Sequence, residues 1–110
     1  METPKRPLVE VLHVEGCPHY PAALALVERV RAQLGIDAEL RTTVVPDQAA
    51  AEQHRFAGSP TIRVDGYDVE LEPPPTFSLS CRLYRHEHGV AGLPDERWVR
   101  GALLRAADGA

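Results

Sequence analysis

Two cysteines and five histidines are the side chains of this chain best suited to chemistry, and the setting of one cysteine stands apart from the rest. Cys17 lies in Glu15-Gly16-Cys17-Pro18-His19-Tyr20, immediately after an apolar run and immediately before residues with helical spacing. A sulfur at a helix start faces unpaired amide groups and the positive end of the dipole, both of which favour the thiolate. The chemistry this suggests is nucleophilic: attack on a disulfide, a mixed disulfide or another soft electrophile, giving a covalent adduct. His19 either sets an imidazolium beside that sulfur or stands as a solvated first-turn side chain. Tyr20 either covers the sulfur, donates a hydrogen bond to it, or packs as an ordinary first-turn residue.

Cys81, in Ser80-Cys81-Arg82, is far away in sequence and has two readings of its own. It is a second reactive thiol, or it is a small buried hydrophobe, as free cysteines often are. Cys17, His19, Cys81, His86 and His88 include ligand types suited to zinc or softer ions, yet their spacing matches no finger, ribbon or His-Glu-x-x-His pattern. No metal is therefore assigned. Two converging thiols would favour a soft thiophilic ion on ligand softness alone. His13 reads as a strand residue in need of one partner, and His54 as a helix-surface residue.

The elements that position these groups follow from periodicity. Residues 8–14 form an apolar, valine-rich run, short enough for a strand and suited to burial on both faces. Pro21 fits a first helical turn, Ala23, Val27, Val30 and Leu34 follow at helical spacing, and Gly35 ends that helix. Residues 39–45 alternate as a strand with Leu40, Thr42 and Val44 on one face. A strand, a helix and a strand in sequence predict a parallel pair. Asp47 then caps a short helix through Arg55. Gly58-Ser59-Pro60-Thr61-Ile62 leads into a strand, Asp65-Gly66 supplies a hairpin turn, and a second strand runs to Leu71. Arg63 alternates outward from the first of these strands toward solvent. Pro73-Pro74-Pro75 opens an inserted loop, residues 73–93, and a last helix starts at Pro94-Asp95-Glu96, buries Val99, Ala102 and Leu103, and frays after Arg105.

This order of elements, with Cys17-Pro18-His19 after the first strand and Ser59-Pro60-Thr61 before the third, resembles the thioredoxin-like superfamily over almost the whole chain. The resemblance implies an α/β domain at residues 8–108, a four-stranded mixed sheet with helices on both faces, in the order βαβαββα. It implies that Ser59-Pro60 is the family's cis-proline element beside the active sulfur, with Ser59, Pro60 and Thr61 presenting an edge to substrate. Cys17-Pro18-His19 is similar to the Cys-Pro-His-Cys of disulfide-introducing oxidases, but Tyr20 replaces the second cysteine, so exchange within one helical turn is impossible. On the implied fold, Cys17, Pro60 and the segment after Leu71 share one rim, where Cys81 would serve as resolving thiol. Glutaredoxin-like relatives hold glutathione with that loop, which makes Arg82 and Arg85 candidates for the carboxylates of a low-molecular-weight thiol. Tyr67 and Tyr84 either line a groove beside Pro60 or fill the core.

Composition narrows the function classes. A chain of 110 residues makes one domain, and 44% hydrophobic with 25% charged residues is ordinary for a globular protein. A net charge of −4 disfavours nucleic acid. Residues 1–7 are polar and proline-punctuated, read as a flexible segment without a signal-peptide pattern, and no stretch is apolar enough to span a bilayer. A cytoplasmic address is expected, and two cysteines in a reducing compartment point away from a disulfide framework. The sequence sets no oligomeric state.

Three functions remain. The first is thiol–disulfide exchange with a protein or small-molecule partner, Cys17 as nucleophile and Cys81 or an external small thiol as resolver, with no other cofactor. The second is soft-metal or organomercurial chemistry at Cys17 and Cys81, with Glu15 or Asp65 as a third group, by chemical analogy to organomercurial lyases. The third is a non-catalytic interaction module. An iron–sulfur cluster of the usual kind is excluded, since two cysteines cannot supply four ligands.

Overall fold

The computed structural model describes residues 6–108. Most of the expected flexible segment 1–7 lies outside the described residues; Pro7, which is described, is buried, and its carbonyl accepts the Glu39 amide at 2.9 Å. The fold is mixed α/β: a four-stranded mixed sheet, three helices and a separate two-stranded hairpin.

Strand β1 (Leu8–His13) is interior to the sheet, as its valine-rich run predicts. It pairs in parallel with β2 (Glu39–Val44), from Leu8 opposite Glu39 to His13 opposite Val44. On its other side it pairs antiparallel with β3 (Thr61–Val64), placing Val9 opposite Val64 and Val11 opposite Ile62. The turn at Asp65 and Gly66, with φ of 50° and 88°, leads to β4 (Tyr67–Asp68), antiparallel to β3, so the order is β2-β1-β3-β4. Two consecutive positive φ values are what a two-residue hairpin requires, and Asp-Gly tolerates them.

Helix α1 (Tyr20–Leu34) buries Ala23, Leu26, Val27 and Val30 and ends at Gly35 with φ 64°. Its apolar stripe joins Val9, Val11, Ile62 and Val64 from the sheet and Val99 and Leu103 from α3 (Glu96–Ala107) in the larger core. Helix α2 (Gln48–Gln53), capped by the Asp47 side chain on the Ala50 amide at 2.8 Å, contributes Ala51 to a smaller core with Leu12, Val45 and Phe56. Because Leu12 alternates with Val9 and Val11 along one strand, the two cores occupy opposite faces of the sheet. Each fully buried Val, Leu or Ile contributes about 1.5–3 kcal/mol against conformational entropy.

Several expectations need correction. Helix α2 stops at Gln53, since Arg55 turns into the left-handed region with φ 54°, and α3 continues past Arg105 to Ala107. The second hairpin strand ends at Asp68, because the Asp68 carboxylate accepts the Glu70 amide at 2.9 Å and turns the chain there. The inserted loop contains a hairpin, β5 (Tyr84–His86) and β6 (Gly89–Ala91). Strand β2 is an edge, and of Leu40, Thr42 and Val44 only Leu40 is drawn into the core. Arg63 is half-buried and donates to the carbonyls of His54 and Arg55 at the end of α2. No helix among the described residues is long and apolar enough to cross a membrane.

Candidate functional site

Cys17 lies in the connection between β1 and α1. Gly16, with φ 79°, makes the turn; the Cys17 amide donates back to the Val14 carbonyl at 3.2 Å, and the Cys17 carbonyl accepts the Tyr20 amide at 3.3 Å. The helix begins at Tyr20 with His19 at the cap position and no side-chain cap, so Cys17 precedes the cap by two residues. It retains 8% of its surface, while Pro18 and His19 beside it are exposed.

One aromatic stack and one ring-to-glycine contact flank this turn. The Tyr20 ring lies flat on His13, the buried last residue of β1, with centroids 3.5 Å apart and planes within 12°. His13 Nδ1 faces the Val14 carbonyl at 3.2 Å, which makes that nitrogen the protonated one, because a carbonyl can only accept. His19 packs against Gly92, just beyond β6: a Cβ on Gly92 would lie 2.5 Å from His19 Nε2. The hairpin segment therefore reaches the Cys17 turn, a contact that no periodicity in the sequence announces.

Ser59 ties the two cysteine segments together. Its hydroxyl accepts the Val14 amide at 3.1 Å, at the start of the turn that carries Cys17. Its own backbone forms a parallel bridge with Cys81, through the Ser59 amide to the Ser80 carbonyl at 2.9 Å and the Arg82 amide to the Ser59 carbonyl at 3.0 Å. Such close approach needs the adjacent Gly58, where φ is 123° and a Cβ would lie 3.0 Å from Arg82 Cβ. The Ser59-Pro60 peptide is cis, and the Thr61 hydroxyl donates to the Gly58 carbonyl at 2.7 Å. Cys81 is exposed, and neither cysteine is in a disulfide.

Arg82 departs from its expected place. Instead of facing a ligand it retains 2% of its surface, with Nη1 and Nη2 on the two oxygens of Asp68 at 2.7 and 3.0 Å and Nη2 on Glu70 at 2.8 Å. Nη1 also reaches the Thr61 hydroxyl at 3.1 Å, and the guanidinium stacks 4.3 Å from the centroid of Tyr84. Burial alone would lower its pKa, but the hydrogen bonds and charges of Asp68, Tyr84 and Glu70 outweigh it and the net shift is upward. The sequence signal for this cluster is the pair of acids Asp68-x-Glu70, at and just beyond the end of β4, opposite the single cation Arg82, and it becomes visible only once the two segments are known to be adjacent.

Tyr84 is buried and donates its hydroxyl to the Pro60 carbonyl at 2.5 Å; burial pushes its phenol up. Tyr67 lies at the opposite end of β3, exposed, and lines nothing beside Pro60. Arg85 is exposed on β5 and shares a shallow groove with Glu70 and Glu72. Asp65 accepts the Leu8 amide at 2.9 Å, at the far end of β1 from Cys17, roughly 16 Å away by strand rise, so it cannot serve as a third group there. Among the described residues no three metal-ligating side chains cluster. Comparison with protein-family models, with curated proteins and with solved structures found no match.

Proposed function

We propose that this chain is a thioredoxin-like thiol protein that exchanges disulfides through Cys17, with Cys81 or an external small thiol as resolver. The observation that carries the reading is the double engagement of Ser59, whose hydroxyl holds the Cys17 turn while its backbone holds Cys81, on the residue that precedes a cis-proline. In this scheme the Cys17 thiolate attacks one sulfur of a disulfide, forming a mixed disulfide and expelling the other half as a thiolate. The Cys81 thiolate then attacks the Cys17 sulfur, releasing the bound half as a second thiolate and leaving a Cys17–Cys81 disulfide. Two equivalents of a low-molecular-weight thiol restore both cysteines. The narrow access to Cys17 favours small or extended substrates over a disulfide set in a folded surface. Replacing Cys17 by Ser is expected to abolish turnover of a small disulfide, while Cys81→Ser accumulates a mixed disulfide on Cys17. Turnover undiminished in Cys17→Ser contradicts the proposal.

A second reading rests on the same pair of thiols. Two free thiols, one on the turn that the Ser59 hydroxyl holds and one bridged by the Ser59 backbone, suit a two-coordinate soft cation, including mercury released from an organomercurial. It predicts stoichiometric binding lost in either Cys→Ser variant, with little disulfide turnover. An interaction module without thiol chemistry predicts neither.

A further inference from the structure

Away from the cysteines, a groove of about 500 Å³ runs between the end of α2, the β3–β4 turn and the proline run that follows β4. Its walls come from three separate parts of the chain and are held in place. Arg63 is anchored through Nη2 to two carbonyls at the end of α2, and Gln48 Nε2 holds the Phe77 carbonyl at 2.9 Å. Arg55 sits over the Phe77 ring, 5.9 Å from its centroid. Tyr67 and Leu71 also line the groove and are 79% and 91% exposed, apolar surface with nothing over it.

The charges are unequal. Asp68 and Glu70 also line the groove, where Arg82 holds both oxygens of Asp68 and one, Oε1, of Glu70. Arg55 and Arg63 make no ion pair among the described residues, and both hydrogen bonds of Arg63 use one nitrogen, leaving Nε and Nη1. A planar guanidinium with open donors matches a carboxylate in geometry as well as charge. We infer that this groove binds a carboxylate attached to a flat apolar body, the anion on Arg55 and Arg63 and the body on Tyr67, Leu71 and Phe77. Two sources carry that chemistry: a free aromatic acid and the C-terminal carboxylate of a peptide that ends in an aromatic residue.

The test is titration of the isotopically labelled full chain with 2-naphthoate, followed by amide chemical shifts, beside 2-naphthamide and the peptide Gly-Gly-Phe as acid and as amide. Saturable shifts are expected at residues 55, 63, 67, 71 and 77, half-complete below about 1 mM. The uncharged amides should bind about tenfold more weakly or worse, since they lose the charge-assisted hydrogen bonds. Arg55→Gln, at an exposed position outside the core, should melt as the parent does and bind naphthoate about tenfold more weakly. Tighter binding of the peptide acid assigns the groove to chain ends, and tighter binding of naphthoate to free acids; both support carboxylate recognition. Equal binding of acid and amide, shifts confined to other residues, or affinity unchanged in Arg55→Gln overturns it.

Discussion

Arg82 grips both oxygens of Asp68, at 2.7 and 3.0 Å, from a position where it is nearly withdrawn from water. Arg82 directly follows Cys81, and its amide is itself half of the bridge to Ser59. The buried charge cluster is thus the anchor that holds Cys81 beside the cis-proline.

Removing that anchor should be costly. Arg82→Ala leaves Asp68 and Glu70 without their cation, and loss of one partner from a buried pair typically costs about 3–5 kcal/mol. Arg82→Lys keeps the charge but not the fork, and should recover only part of the loss. Urea unfolding measures both. A loss below about 1 kcal/mol in Arg82→Ala, the range of an exposed pair, would show that the cluster is not buried in solution.

Gly92 offers a way to move His19 without touching it. Because a Cβ there would overlap the far end of an exposed side chain, the ring can swing away, and Gly92→Ala should change stability by no more than about 1 kcal/mol. If the imidazole tunes Cys17, the alkylation rate of Cys17 in Gly92→Ala should match that in His19→Ala, and the double variant should add nothing further. Additive effects would separate the two residues.

The Tyr84 phenol, raised by burial, gives a pH signature. A raised folded value means that its contribution is fully present below the unfolded value of about 10 and is lost as pH rises above it. Stability should therefore fall more steeply above about pH 10 in the parent than in Tyr84→Phe. At neutral pH the variant should lose about 1–3 kcal/mol, because the buried Pro60 carbonyl is left unsatisfied. Parallel alkaline profiles would refute the assignment.

Asp95 acts at the other end of the scale. The hydrogen bonds from the Arg97 side chain and amide hold its carboxyl down at about 2. With the folded value depressed, its contribution is present above the unfolded value of about 3.9 and is lost as pH falls toward the folded one. Asp95→Ala, which removes the cap of α3, should cost about 1 kcal/mol at neutral pH and flatten the acid limb of the stability profile.

The sheet and its helices were legible because each carries a local signal: the valine run of β1, the spacing of Ala23, Val27 and Val30, the Asp65-Gly66 turn and the Asp47 and Asp95 starts. The meeting of Ser59 with the segment around Cys81 was legible only through the thioredoxin-like resemblance. The burial of Arg82 has no local signal: its partners, Asp68 and Glu70, are remote in sequence, and an arginine among exposed residues reads the same as one buried in a cluster of acids. The β5–β6 hairpin carries no local signal, because Tyr84-Arg85-His86 and Gly89-Val90-Ala91 are three residues each, too short to show alternation, and the second is exposed throughout. The strand position of His13 follows from the apolar run, whereas its stacking on Tyr20 depends on where the turn after β1 returns.

The proposed exchange requires that the two sulfurs meet across Ser59. Peptide mapping by mass spectrometry after mild oxidation, with and without a trace of small thiol, tests it most directly. A peptide linking Cys17 to Cys81 is expected in both samples and is lost in either Cys→Ser variant. Cys17 capped by the small thiol with Cys81 unmodified, and no linked peptide in its absence, would contradict it.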